Sequence, residues 1–125
     1  MAKYIAWSLS ASSPSGGIDA SGSLDADEVT FASVALDPQS NKTLTLQLAD
    51  VDKLRILIIK SNLYNEKVRV KGAGAGAKEI KLAGPLALFG EAIFLLGQSL
   101  ATLTVTNDDA GLAAELEILI GRKLS

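Results

Sequence analysis

The segment Gly72-Ala73-Gly74-Ala75-Gly76-Ala77-Lys78 is the stretch most suggestive of chemistry, because glycine-rich loops that end in lysine can cradle phosphates with their backbone amides. That chemistry needs glycine directly before the lysine, serine or threonine directly after it, and a helix to follow. Here Ala77 precedes Lys78, Glu79 follows, and the next residues alternate as a strand does, so a hairpin loop is expected. A dinucleotide fingerprint fails for the same lack of a helix. The small residues also permit close backbone approach, including approach to a neighbouring subunit.

Carboxylates are the next candidates. Asp25-Ala26-Asp27-Glu28, Asp50-Val51-Asp52 and Asn107-Asp108-Asp109 offer oxygen ligands that would suit calcium. None matches the twelve-residue calcium loop, and Asp and Asn commonly bond their own backbone two residues on, so turn caps are expected and no metal is assigned. A paired-carboxylate glycosidase cannot be located from spacing, and the aromatic stock of Tyr4, Trp7, Phe31, Tyr64, Phe89 and Phe94 is thin for a sugar platform. Histidine and cysteine are both absent. This removes the usual general base near neutral pH, the thiolate nucleophile and the soft metal ligands. Serine has no imidazole to activate it and no Ser-x-x-Lys spacing occurs. Asn41-Lys42-Thr43 fits a glycosylation acceptor, a match short enough to arise by chance. The residues point to a protein that is not an enzyme and uses no cofactor.

The chain has 125 residues, enough for one domain with a real core. Hydrophobic residues make up 48% but aromatics only 5%, so that core must be aliphatic. A mean hydropathy of +0.29 is high for a small domain with limited interior, and oligomerisation is the expected outlet. The net charge of −2 and the absence of a basic run argue against nucleic acid as a partner. No stretch is long and apolar enough to predict a membrane-spanning helix, and no secretory signal is read after Met1, so synthesis in the cytoplasm is expected.

The elements that must position these residues are strands. Thr43–Leu48, Lys67–Lys71, Glu79–Leu82, Thr102–Thr106 and Glu115–Ile118 alternate polar with apolar. Leu54–Ile59 is continuously apolar, as for a strand covered on both sides, and Ala92–Leu96 reads likewise. Lys3–Ser8 and Val29–Leu36 are weaker strand candidates. Turn signals fall between these runs at short intervals. Roughly eight or nine strands at such spacing predict an all-β fold, a single antiparallel β-sandwich of jelly-roll type. Residues 1–22, rich in Ser, Gly and Ala, read as an N-terminal arm with a first strand, and residues 23–125 as the sandwich core.

From Thr43 onward the order of elements resembles a known class. The Leu-alternating strand ends in Leu48-Ala49-Asp50. The buried strand Arg55–Lys60 and the segment Glu79-Ile80-Lys81-Leu82-Ala83-Gly84-Pro85 follow. Phe94-Leu95-Leu96-Gly97, Leu103-Thr104-Val105-Thr106-Asn107 and Glu117-Ile118-Leu119-Ile120-Gly121 complete the pattern. It is similar to small jelly-roll or β-sandwich structural proteins of tailed-bacteriophage virions, of the capsid-decoration or minor structural type. The resemblance implies a non-enzymatic subunit located on a virion, associating with itself, with a trimer favoured, and binding another virion protein.

Two surfaces are candidates for such contacts. Leu86, Leu88 and Phe89 follow Gly84-Pro85 in a segment that reads either as an exposed apolar patch or as a loop plugging one end of the sandwich. The arm from Met1 to Gly22 carries Tyr4 and Trp7, which point to opposite faces of a strand and are expected to staple it to the core or to a partner. A carbohydrate-binding, lectin-like module is the alternative function for this fold class.

Overall fold

Alternation of the kind seen in Val68-Arg69-Val70 and Glu115-Leu116-Glu117-Ile118 puts every second side chain on one face, and only a sheet can bury such a set. The computed structural model, which describes residues 3–48, 53–74, 76–97 and 99–123, is built accordingly from antiparallel strands. The strands are β1 (Lys3–Ser13), β2 (Gly16–Ala26), β3 (Glu28–Leu36), β4 (Ser40–Leu48) and β5 (Leu54–Ser61). They continue with β6 (Val68–Ala73), β7 (Glu79–Lys81), β8 (Leu86–Phe89), β9 (Ser99–Asn107) and β10 (Ala114–Arg122).

Eight of these strands form two four-stranded sheets, ordered β3-β10-β5-β8 and β4-β9-β6-β7. The chain passes repeatedly from one sheet to the other, and this double Greek-key order is that of an eight-stranded jelly roll. The inner faces meet in one aliphatic core, to which Leu57, Ile59, Leu116 and Ile118 come from the first sheet and Val68, Val70, Leu103 and Val105 from the second. The predicted all-β sandwich is therefore the observed fold.

The remaining two strands lie outside the sandwich. β1 and β2 pair over their whole length through the two-residue loop Pro14-Ser15, where the Ser13 hydroxyl donates to the Gly16 carbonyl at 3.0 Å. The residues read from sequence as a Ser/Gly/Ala-rich arm thus form a two-stranded hairpin whose return strand runs on to Ala26. Each strand has 11 residues, making the hairpin about 36 Å long.

One expected strand is absent. Ala92–Leu96 lies in a 3₁₀ helix, Gly90–Leu96. Gly90 takes φ +58°, which ends β8, and Ile93 and Leu96 are buried while Phe94 and Leu95 are exposed. That three-residue burial period is the 3₁₀ repeat, which a run of consecutive apolar residues does not distinguish from a buried strand. The C-terminus of this helix fits against the glycine-rich loop. A Cβ on Gly72 would stand 2.5 Å from the Leu96 carbonyl oxygen, and one on Gly97 would stand 2.6 Å from that of Ala73. Gly72 therefore serves backbone packing.

Candidate interaction surface

The acidic motif at 107–109 is consumed by the fold. Asn107 is fully buried at the end of β9, and its Nδ2 donates to the carbonyls of Leu112 (2.9 Å), Asp37 (3.3 Å) and Leu36 (3.5 Å). Its Oδ1 accepts from the Asp109 amide at 3.0 Å, so one side chain ties the β3–β4 turn to the β9–β10 loop. Asp108 pairs with Arg69 at 2.7 Å, and Arg69 also reaches Glu79 at 2.6 Å. Asp109 Oδ1 accepts from the amides of Gly111 and Leu112, and those bonds hold its carboxyl below the ordinary aspartate range, with Asn65 and Lys67 adding to the effect. Of the first acidic cluster, Glu28 pairs with Arg122 at 2.6 Å across β3 and β10. Asp50-Val51-Asp52 lies outside the described residues. Among the described residues no three acidic side chains are grouped as a cation site would need.

The surface with unspent chemical potential is the outer face of the β3-β10-β5-β8 sheet. Strand register lays its side chains out in rows. Val29, Gly121, Ile56 and Phe89 form one row across the four strands, and Phe31, Leu119, Ile58 and Ala87 form the next. Beyond them Ser33, Glu117 and Lys60 begin a polar region. Two adjacent apolar rows on a face turned away from the core require a cover.

The base of the hairpin covers the first row. Trp7 lies with its ring centroid 5.0 Å from that of Phe89 at an interplanar angle of 57°, a tilted aromatic pair. Across the hairpin the indole rests over Gly22, where a Cβ would stand 3.0 Å from the ring. Ile5 and Ala26 fill the space over Gly121, whose own Cβ would approach Ile5 Cδ1 to 2.5 Å. Ile56 and Ala26 are consequently fully buried yet stand apart from the main core. The continuously apolar β5, read as covered on both sides, has its second cover from this hairpin at Ile56 only.

Among the described residues the second row has no such cover. Phe31 is 62% exposed, and Leu119, Ile58 and Ala87 are half-buried.

The five residues singled out from sequence do not share one surface. Trp7 and Phe89 come together, within one chain. Tyr4 is 75% exposed on the opposite face of the hairpin. Leu88 lies in the core, Leu86 packs against it, and both belong to β8, an edge strand paired with β5. Sequence reasoning passed over Phe31 and Leu119. The available signal was phase: in β3, Val34 and Leu36 occupy one alternation phase while Val29 and Phe31 occupy the other, and apolar residues on both phases mean two faces to cover.

Fold and surface define a class, a jelly-roll sandwich with an N-terminal hairpin arm and an apolar outer sheet. No protein-family model matches the chain, and no curated protein or solved structure is significantly similar to it.

Proposed function

We propose that the chain is a non-enzymatic structural subunit of a virion, of the capsid-decoration or minor structural type, which associates with itself and with a particle protein. The observation that carries this reading is the second apolar row, with Phe31 exposed at its edge, on the outer face of a jelly-roll sheet. A contiguous apolar face of that kind is a cost to a free monomer and an asset to a subunit in an assembly. The jelly-roll order supports the virion setting by analogy of fold, since such sandwiches recur in capsid proteins. The absence of imidazole and thiol, together with the internal use of Asp108 and Asp109, supports a role without catalysis.

Light scattering coupled to gel filtration tests self-association. A discrete oligomer that survives dilution, a trimer on the resemblance, is the expected result. Quantitative mass spectrometry of density-purified particles from the source culture tests the virion setting, with the chain expected at fixed stoichiometry to other particle proteins. A dilution-independent monomer whose Trp7 fluorescence responds to a glycan would replace this reading with the carbohydrate-binding one.

A further inference from the structure

We infer that the distal half of the hairpin arm docks on a second copy of this chain, seating on the outer face of that copy's β3-β10-β5-β8 sheet at Phe31 and Leu119. The inference rests on the self-association proposed above and adds the two surfaces that meet.

The arm is amphipathic over most of its length. Register places Ile5 with Leu24, Trp7 with Gly22, Leu9 with Ala20 and Ala11 with Ile18 on one face. The other face carries Ser8 with Ser21 and Ser10 with Asp19. The near part of the apolar face is seated on its own sheet through Trp7 and Ile5, which shows the kind of surface this face fits. The far part is bare, with Leu9 at 49% and Ile18 at 71% exposure. A two-stranded hairpin is at best marginally stable in water without an apolar cover, so the far part needs one.

The surface area of the chain leaves room for a cover of ordinary interface size. The chain exposes 7287 Å², about 940 Å² more than the roughly 6,350 Å² expected of a compact monomer of 13.0 kDa. A stable interface of standard size removes about 800 Å² from each partner.

The chain also supplies the receiving surface. The Phe31 row is the direct continuation of the row that the arm base already covers, and neither it nor the far part of the arm's apolar face, Leu9, Ala11, Ile18 and Ala20, carries a charge. Because arm and sheet are different patches, the contact is heterologous, and repeating it around a rotation axis closes a ring.

The test uses two variants of the full chain, Leu9→Asp/Ile18→Asp on the arm and Phe31→Asp on the sheet, all at exposed positions, with folding checked by circular dichroism. Each variant alone is expected to dissociate at least 100-fold more readily than the parent in light scattering over a dilution series. Their equimolar mixture is expected to regain pairs, because the intact arm of the sheet variant meets the intact sheet of the arm variant. A parent that assembles while the arm variant assembles equally well overturns this inference and leaves self-association standing. Two folded, dissociated variants whose mixture stays monomeric also overturn it, since arm and sheet would then not meet each other. A parent that is monomeric at every concentration overturns both.

Discussion

At the scale of single residues, the side chains that looked most chemical serve the fold, and their roles yield measurable consequences. Asn107 is a buried amide satisfying three backbone carbonyls, so Asn107→Ala should cost about 2–4 kcal/mol, seen as a lower urea midpoint with an unchanged slope. Asp109 is held below its ordinary pKa chiefly by the amides of Gly111 and Leu112. A carboxylate with a depressed folded pKa stabilises the fold above the unfolded value, about 3.9, and that contribution is lost as pH falls through the folded value. The stability gap between the parent and Asp109→Asn should therefore be largest near pH 7 and shrink below about pH 4, as read by urea unfolding at a series of pH values. Gly121 leaves room for Ile5 and Ile56. Gly121→Val should lift the arm base at a cost of about 1–3 kcal/mol and shift the emission of Trp7, the sole tryptophan, to the red as it meets water.

At the scale of elements, the arm is two things joined end to end. Its base is part of the domain, because Trp7, Ile5 and Ala26 bury Ile56 and Gly121. Its far half contributes nothing to that burial. Replacing residues 8–21 by Asn-Gly, so that a two-residue turn joins Trp7 to Gly22, should leave the melting temperature within about 5 °C of the parent. The same shortened chain should fail to assemble in light scattering. Unchanged assembly would remove the arm from the account of self-association. The 3₁₀ helix has the opposite character: Ile93 and Leu96 anchor it in the core, and its end meets the glycine-rich loop backbone to backbone.

At the scale of the whole molecule, the apolar excess noted in the composition is located. The core takes up the aliphatic residues of both inner faces, and the surplus sits on the arm and on the outer face of one sheet, with Phe94 and Leu95 on the 3₁₀ helix and Leu112 in the β9–β10 loop also exposed. An assembly held by such faces should be insensitive to screening. Gel filtration in 1 M NaCl, where the Debye length is about 3 Å, should show the same oligomer as at low salt, and sulfate should strengthen it. Dissociation by NaCl would instead assign the contact to charged groups.

Strand identity was legible in the residues wherever one face is buried and one is wet, as in β6 and β10, because the pleat forces a period of two on the sequence. The glycine-rich loop and the turn role of Asn107-Asp108-Asp109 were legible for a similar reason, since local backbone chemistry decides both. β2 was not legible: its Ser, Gly and Ala residues are exposed along most of the strand, so no burial pattern was written into them. Ala92–Leu96 was not legible either, because a run of consecutive apolar residues suits a strand and a 3₁₀ turn equally, and Gly90 and the core around Ile93 decide between them. The interaction surface depended most on tertiary structure. Phe31, Leu119, Ile58 and Ala87 are scattered over four stretches of chain and become one row only through the pairing of β3, β10, β5 and β8. By itself the sequence determined the strands that have one buried and one wet face, and an apolar content greater than one small core can hold. Which apolar residues remain outside that core was decided by register and sheet order, because pairing between distant strands sets which side chains share a face and what covers them.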